Sequence, residues 1–244
     1  MKEYEIKCLE YVIDVISKKN NRELLFDNTE DINVLLSILN KVKPNPNLSE
    51  FPDFLSEDAI LEHFSFTSSK DNLKGSSFKI EQNENENGIK EYIEGWQKNI
   101  VNQPFERNVL RTDSIEKEYS HFSHENFIYS LNKHLLSHID SLKKYNVHNK
   151  KVIFLIEQQD AVLETYKNAS FYHFYKMSED KKALDTLKPY KELIDIIIFR
   201  ALDRIEIIDM KNFDDVYKNS YTTEDIRGGR RREIKSLINL DIKF

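Results

Sequence analysis

The stretch Lys151 to Gln159, KVIFLIEQQ, constrains the fold of this chain most, because Val152 to Ile156 are apolar without a break. A strand that is apolar on both of its alternating faces has to be covered by helices on each side, which makes it a central strand of an α/β or α+β sheet. The rest of the chain offers those covers. Residues Glu3 to Lys18 place Tyr4, Cys8, Tyr11, Val12, Val15 and Ile16 at helical spacing. A second helix is expected over Asp31 to Lys43, with Ile32, Leu35, Leu36 and Leu39 as its stripe and KPNPN as its stop. From Ile89 to Tyr145 the chain reads as helical again, and Phe122, Phe127, Ile128, Leu131, Leu135 and Ile139 form a clear stripe in its last part. Glu116 to Tyr145 is the helix expected there, with its histidines mostly open to solvent.

Ala59 to Phe66 alternates as a strand should, within a stretch from Phe51 to Thr67 that reads as a tight hairpin. Further strands are expected around Phe171 to Tyr175, Ile194 to Ala201 and Arg204 to Met210, with a helix over Glu179 to Leu187. The last element, IRGGRRREIKSLI, reads as a glycine turn feeding a basic helix. The polar segment SSKDNLKGSSFKIEQNENENG cannot build a core and reads as a mobile loop. With five Gly and five Pro in 244 residues, breakers are sparse, which favours long regular elements in one domain. The expected organisation is therefore a single domain over residues 1–244, with a helical insertion at about residues 89–146 and a basic C-terminal segment at residues 227–244.

The charged fraction of 32% is high, yet 15 Phe and 12 Tyr supply bulky core material, so the chain reads as folded and heavily solvated. A single cysteine, Cys8, lies in the apolar stripe of the first helix, which on sequence grounds excludes disulfide scaffolds and thiolate zinc sites and makes Cys8 read as a buried small hydrophobe. No apolar run approaches the roughly 20 residues that span a bilayer, so a cytoplasmic location is expected. The net charge of −6 argues against coating nucleic acid by bulk electrostatics, while leaving room for a local basic patch. No GxxxxGK[ST], GxGxxG or GxSxG occurs, so nucleoside-triphosphate, dinucleotide and serine-hydrolase readings lack their motif.

Chemistry is expected where carboxylates interrupt apolar strand faces. Glu62 shares a strand face with Ile60, Phe64 and Phe66, and Asp53 stands nine residues before it in the hairpin. A carboxylate in such a row needs a partner or a purpose, and two held together could bind Mg²⁺. Glu157 and Gln159 lie two apart and share the face of Ile153 and Leu155, at a strand end where sites of open sheets form. Asp53, Glu62, Glu157 and Gln159 are then the groups expected to converge, with Asp53, Glu62 and Glu157 as metal ligands and Gln159 positioning water.

These residues make the chain resemble the restriction-endonuclease-like superfamily, the PD-(D/E)xK nucleases. Pro52 and Asp53 match the first element of that pattern and Glu62 the second, while Phe64 stands where a Lys is usual. A different alignment takes Glu62 as the first acid and Glu157 with Gln159 as a Glu-x-Gln variant of the later pair. The resemblance covers Glu3 to Leu187 at the level of motifs, and it implies Mg²⁺-dependent hydrolysis of DNA phosphodiesters in restriction or phage defence, by a homodimer if both strands are cut. The alternative from another class is a non-catalytic interaction or nucleic-acid-binding protein on a degenerate nuclease fold, which the absent Lys favours.

Phosphate contacts are expected from Lys70 and Lys74 in the polar loop, and Arg227, Arg230, Arg231 and Arg232 form a cluster that either grips phosphates or pairs with surface acids. His121, His124, His134 and His138 crowd one 18-residue window, and the His134/His138 spacing of four residues suits a two-histidine metal pair or a solvated or partly buried helical face. His63, on the strand face opposite Glu62, reads as a hydrogen-bonded structural group.

Overall fold

A computed structural model describes residues 2–18, 24–25, 29–47, 50–68, 111–118, 123–159, 162–167, 171–201, 204–221 and 226–236. The chain opens with helix α1 (Lys2–Lys18), the short strand β1 (Leu24–Leu25) and helix α2 (Thr29–Leu39). Glu3 and Glu5 in the first turn of α1 and Lys18 in its last complement the helix dipole. Strands β2 (Lys43–Pro44), β3 (Phe54–Leu55) and β4 (Ala59–Phe66) follow as an antiparallel run. After β5 (Arg111–Glu118) comes the long helix α3 (His124–Lys144), then β6 (Lys151–Gln158), β7 (Val162–Lys167) and β8 (Phe171–Phe174). Helix α4 (Lys181–Leu187), strands β9 (Ile196–Ala201) and β10 (Arg204–Asp209), helix α5 (Phe213–Asn219) and strand β11 (Ile226–Ser236) complete the described elements.

The fold is α/β, with a mixed sheet between helical layers. Seven strands run in the order β1, β10, β9, β6, β4, β3, β2, and β6 lies parallel to both β4 and β9. The expected adjacency of β4 and β6 in one sheet is found. Both faces of the central strands are buried, as the unbroken apolar run of β6 requires. On one face Leu61, Ile153, Leu155 and Ile198 pack beneath Leu9, Val12, Ile16, Leu35 and Leu39 of α1 and α2. On the other, Ile60, Phe64, Phe154 and Ile197 pack beneath Phe127, Leu131, Leu135 and Ile139 of α3, with Leu184 of α4 and Phe213 of α5. Each such side chain contributes roughly 1.5–3 kcal/mol on burial. Helix α3 starts at Ser123, whose hydroxyl accepts from the Asn126 backbone N–H, and the turn after it is closed by His148 and Asn149, both in the left-handed region.

Four expectations change. The helix expected over Glu116 to Tyr145 begins only at His124, because residues 111–118, RTDSIEKE, form β5. The basic C-terminal helix is instead strand β11, paired with β5 on one side and β7 on the other. Register sets Arg231 opposite Glu116 and Arg227 opposite Glu164, pairings that no local periodicity can announce. Two adjacent glycines also work against a helix there. β5, β11, β7 and β8 form a second sheet, so residues 89–146 are not a purely helical insertion. Finally, the described histidines of α3 are only partly open to solvent: His124, His134 and His138 are all of intermediate burial. The polar loop from Ser69, with Lys70 and Lys74, His121, and the first part of the expected helical region lie outside the described residues.

Candidate functional site

Two polar clusters sit on opposite faces of the central sheet. The first joins the hairpin to α3. The Asp53 backbone N–H donates to Glu62 Oε2 at 3.0 Å, and the His63 backbone N–H donates to Asp53 Oδ2 at 2.9 Å, so the hairpin is clasped by its own carboxylates. Glu62 Oε1 meets Nδ1 of His138 at 2.6 Å. The His138 ring in turn stacks on Phe64 at 4.7 Å, with His134 farther along the same ring. Burial raises the Asp53 carboxyl above its ordinary range, and the charge of Glu62 adds to that. Burial and the neighbouring His138 lower His134. Among the described residues, neither Asp53 nor Glu62 forms an ion pair with a Lys or Arg.

The second cluster gathers under α1, toward the carboxyl ends of β4, β6 and β9, where sites of parallel sheets form. Glu157 is its centre and is 3% exposed. Its Oε1 accepts from the Arg200 guanidinium at 2.6 Å and from the Tyr4 hydroxyl at 2.8 Å, while its Oε2 faces His63 Nε2 at 3.2 Å. Gln159 donates to the Tyr4 hydroxyl at 2.9 Å and to Glu157 Oε2 at 3.4 Å. The Arg200 guanidinium also lies over the Tyr11 ring, 4.5 Å from its centre. Cys8 completes the group: its sulfur, a ring nitrogen of His63 and a carboxylate oxygen of Glu157 lie within 4.8 Å of one another.

The charges answer one another. Burial opposes ionisation of Glu157, but His63, Arg200 and Tyr4 outweigh it and leave the carboxyl below its ordinary range. Burial likewise opposes the charged form of His63, and the Cys8 and Glu157 partners overcome it, raising the ring from 6.5 to about 9. Burial and the bond to Glu157 push Tyr4 up to about 12. Folding therefore binds a proton at His63. The stability this confers is complete below pH 6.5 and is lost as pH rises through about 9. Urea unfolding of metal-free protein should show a loss on the order of 3 kcal/mol across that window, and His63→Gln should flatten it. An equally steep loss in His63→Gln would assign the dependence to another group.

The structure brings Asp53 and Glu62 together, and Glu157 and Gln159 together, but it does not unite the two pairs. Parity explains why. Register sets Glu62 opposite Phe154 and Ser65 opposite Glu157, so even-numbered residues of both strands face α3 and odd-numbered ones face α1. Glu62 and Glu157 thus lie on opposite faces, and the expected convergence of Asp53, Glu62 and Glu157 on one metal, with Gln159 as water positioner, is corrected. The same parity marks the residues that sequence reasoning passed over. His63 shares the odd face with Glu157, and Tyr4 and Cys8 are one helical turn apart in α1. Arg200 is set directly opposite Glu157 in the register of β6 and β9. Arg227, Arg230, Arg231 and Arg232 fall in β11, in the other sheet. No family model matches the chain, and neither a curated protein nor a solved structure matches it.

Proposed function

We propose that the chain is a Mg²⁺-dependent, restriction-endonuclease-like enzyme that hydrolyses DNA phosphodiesters at the Asp53–Glu62 pair, in restriction or phage defence. One observation carries this reading. Asp53, just before β3, and the buried Glu62 of β4 meet with no Lys or Arg among the described residues to neutralise them, and burial first and the charge of Glu62 second raise Asp53. A divalent cation with hard oxygen preference relieves that repulsion. Asp53 Oδ1 accepts no hydrogen bond among the described residues and is the oxygen free for it. Mg²⁺ bound there would polarise a phosphodiester and ease deprotonation of a water. His138 holds Glu62 through Oε1 and so fixes the carboxylate's orientation. Glu157 takes no part, because Arg200 and His63 already balance it. Lys70, Lys74 and the arginines of β11 are assigned the phosphate contacts on sequence grounds, and cutting both strands calls for a homodimer.

The second reading, an interaction protein on a nuclease-like fold, is favoured by a different fact: both oxygens of Glu62 already accept hydrogen bonds within the chain. Glu62→Gln separates the two. Gln can still accept from the Asp53 N–H and bond His138, so stability should stay within about 1 kcal/mol of wild type. Nicking of supercoiled plasmid in Mg²⁺ should fall at least about 100-fold in Glu62→Gln and in Asp53→Asn. If wild type neither takes up Mg²⁺ nor cuts any nucleic acid, and Glu62→Gln unfolds, the pair is structural and the second reading stands.

A further inference from the structure

We infer that Cys8, His63 and Glu157 form a binding site for a thiophilic divalent metal of the zinc type, separate from the Asp53–Glu62 pair and independent of the nuclease reading. The donor set decides the class of metal. A thiolate, an imidazole and a carboxylate are the ligands of Zn²⁺ and its Co²⁺ analogue, whereas Mg²⁺ takes oxygen alone. The donors come from three elements, α1, β4 and β6, and all three side chains are buried: Cys8 is 1%, His63 6% and Glu157 3% exposed. Their ligand atoms lie within 4.8 Å of one another, among the described residues a combination found only here.

The spacing suits coordination. Two ligands each about 2.0–2.1 Å from a tetrahedral metal stand about 3.3 Å apart. His63 Nε2 and Glu157 Oε2 are separated by 3.2 Å, close to that edge. The other carboxylate oxygen is already committed. Arg200 and Tyr4 hold Oε1, which turns Oε2 toward His63 and leaves Glu157 to bind through one oxygen. This is the outer support that metal-binding carboxylates ordinarily have. Gln159 and Tyr4 lie beside Glu157 and are hydrogen-bonded to it; a four-coordinate shell would need a fourth ligand such as water. Binding of a metal through such ligands releases protons to solvent.

Because Cys8 is the chain's one cysteine, sulfur ligation has an unambiguous readout. Untagged full-length protein is stripped with a chelator and titrated with Co²⁺ alone. The expected result is a sulfur-to-cobalt charge-transfer absorption in the near ultraviolet, with tetrahedral d–d bands, saturating at one equivalent. Zn²⁺ should abolish these bands, and excess Mg²⁺ should leave them, which distinguishes this site from the Asp53–Glu62 pair. Glu157→Gln should weaken Co²⁺ binding at least about 10-fold, and Cys8→Ser should remove the charge-transfer absorption. Folded wild-type protein that shows no such absorption overturns the inference without recourse to any variant. Displacement by Mg²⁺, or unchanged Co²⁺ affinity in folded Glu157→Gln, overturns it too.

Discussion

Replacing Arg200 by Met should destabilise the protein by about 4 kcal/mol, because it strands the Glu157 carboxylate in a buried site with its principal counter-charge removed. The guanidinium lies 2.6 Å from Glu157 Oε1 and covers the Tyr11 ring, so both a charged hydrogen bond and a cation–π contact disappear. Met keeps most of the stem's volume, which separates the charge effect from a cavity. The decisive comparison is the double variant Arg200→Met with Glu157→Gln. Without the buried charge there is less to neutralise, and the pair should cost clearly less than the sum of the singles in urea unfolding. Simple additivity would mean that Arg200 contributes packing only, and that the network under α1 is not electrostatically closed.

The legible parts of the fold are those whose cause is local. KVIFLIEQQ has one packing solution, a central strand, and the stripe of α1 buries Cys8, Val12, Val15 and Ile16 as its spacing dictates. The hairpin acids could be located too, since a carboxylate among Ile60, Phe64 and Phe66 stands out in the alternation. What the chain does not display locally is relative register. A shift of one residue between β4 and β6 would move Glu157 to the face of Glu62, and nothing in either strand's own alternation selects between the two. The same limit hides β5 and β11. RTDSIEKE and IRGGRRREIKS have the charge density of exposed helices, and only their pairing across more than 100 residues makes them strands. Arg200 was invisible as a site residue for a related reason: its meaning depends on being set opposite Glu157, which is a property of the sheet.

Asp180 carries a comparable burden on the α3 side and should show it. This carboxylate is fully buried, accepting from His124 Nε2 at 2.6 Å, from the Tyr175 hydroxyl at 2.8 Å and from the Lys182 backbone N–H at 3.0 Å. It thereby caps α4, anchors the first turn of α3 and satisfies a phenol whose ionisation is pushed far up, by burial first and by Asp180 itself second. Asp180→Ala removes the cap and leaves the Tyr175 hydroxyl without an acceptor in a dry site, a combination expected to cost about 4 kcal/mol. Asp180→Asn retains a carbonyl oxygen for the cap or the phenol and should cost about 1–2 kcal/mol. Urea unfolding ranks the two, and hydrogen exchange locates the damage, with protection falling first at the start of α3 and through α4. Equal losses for Ala and Asn would show that the charge on Asp180, rather than its acceptor geometry, is what joins these two helices.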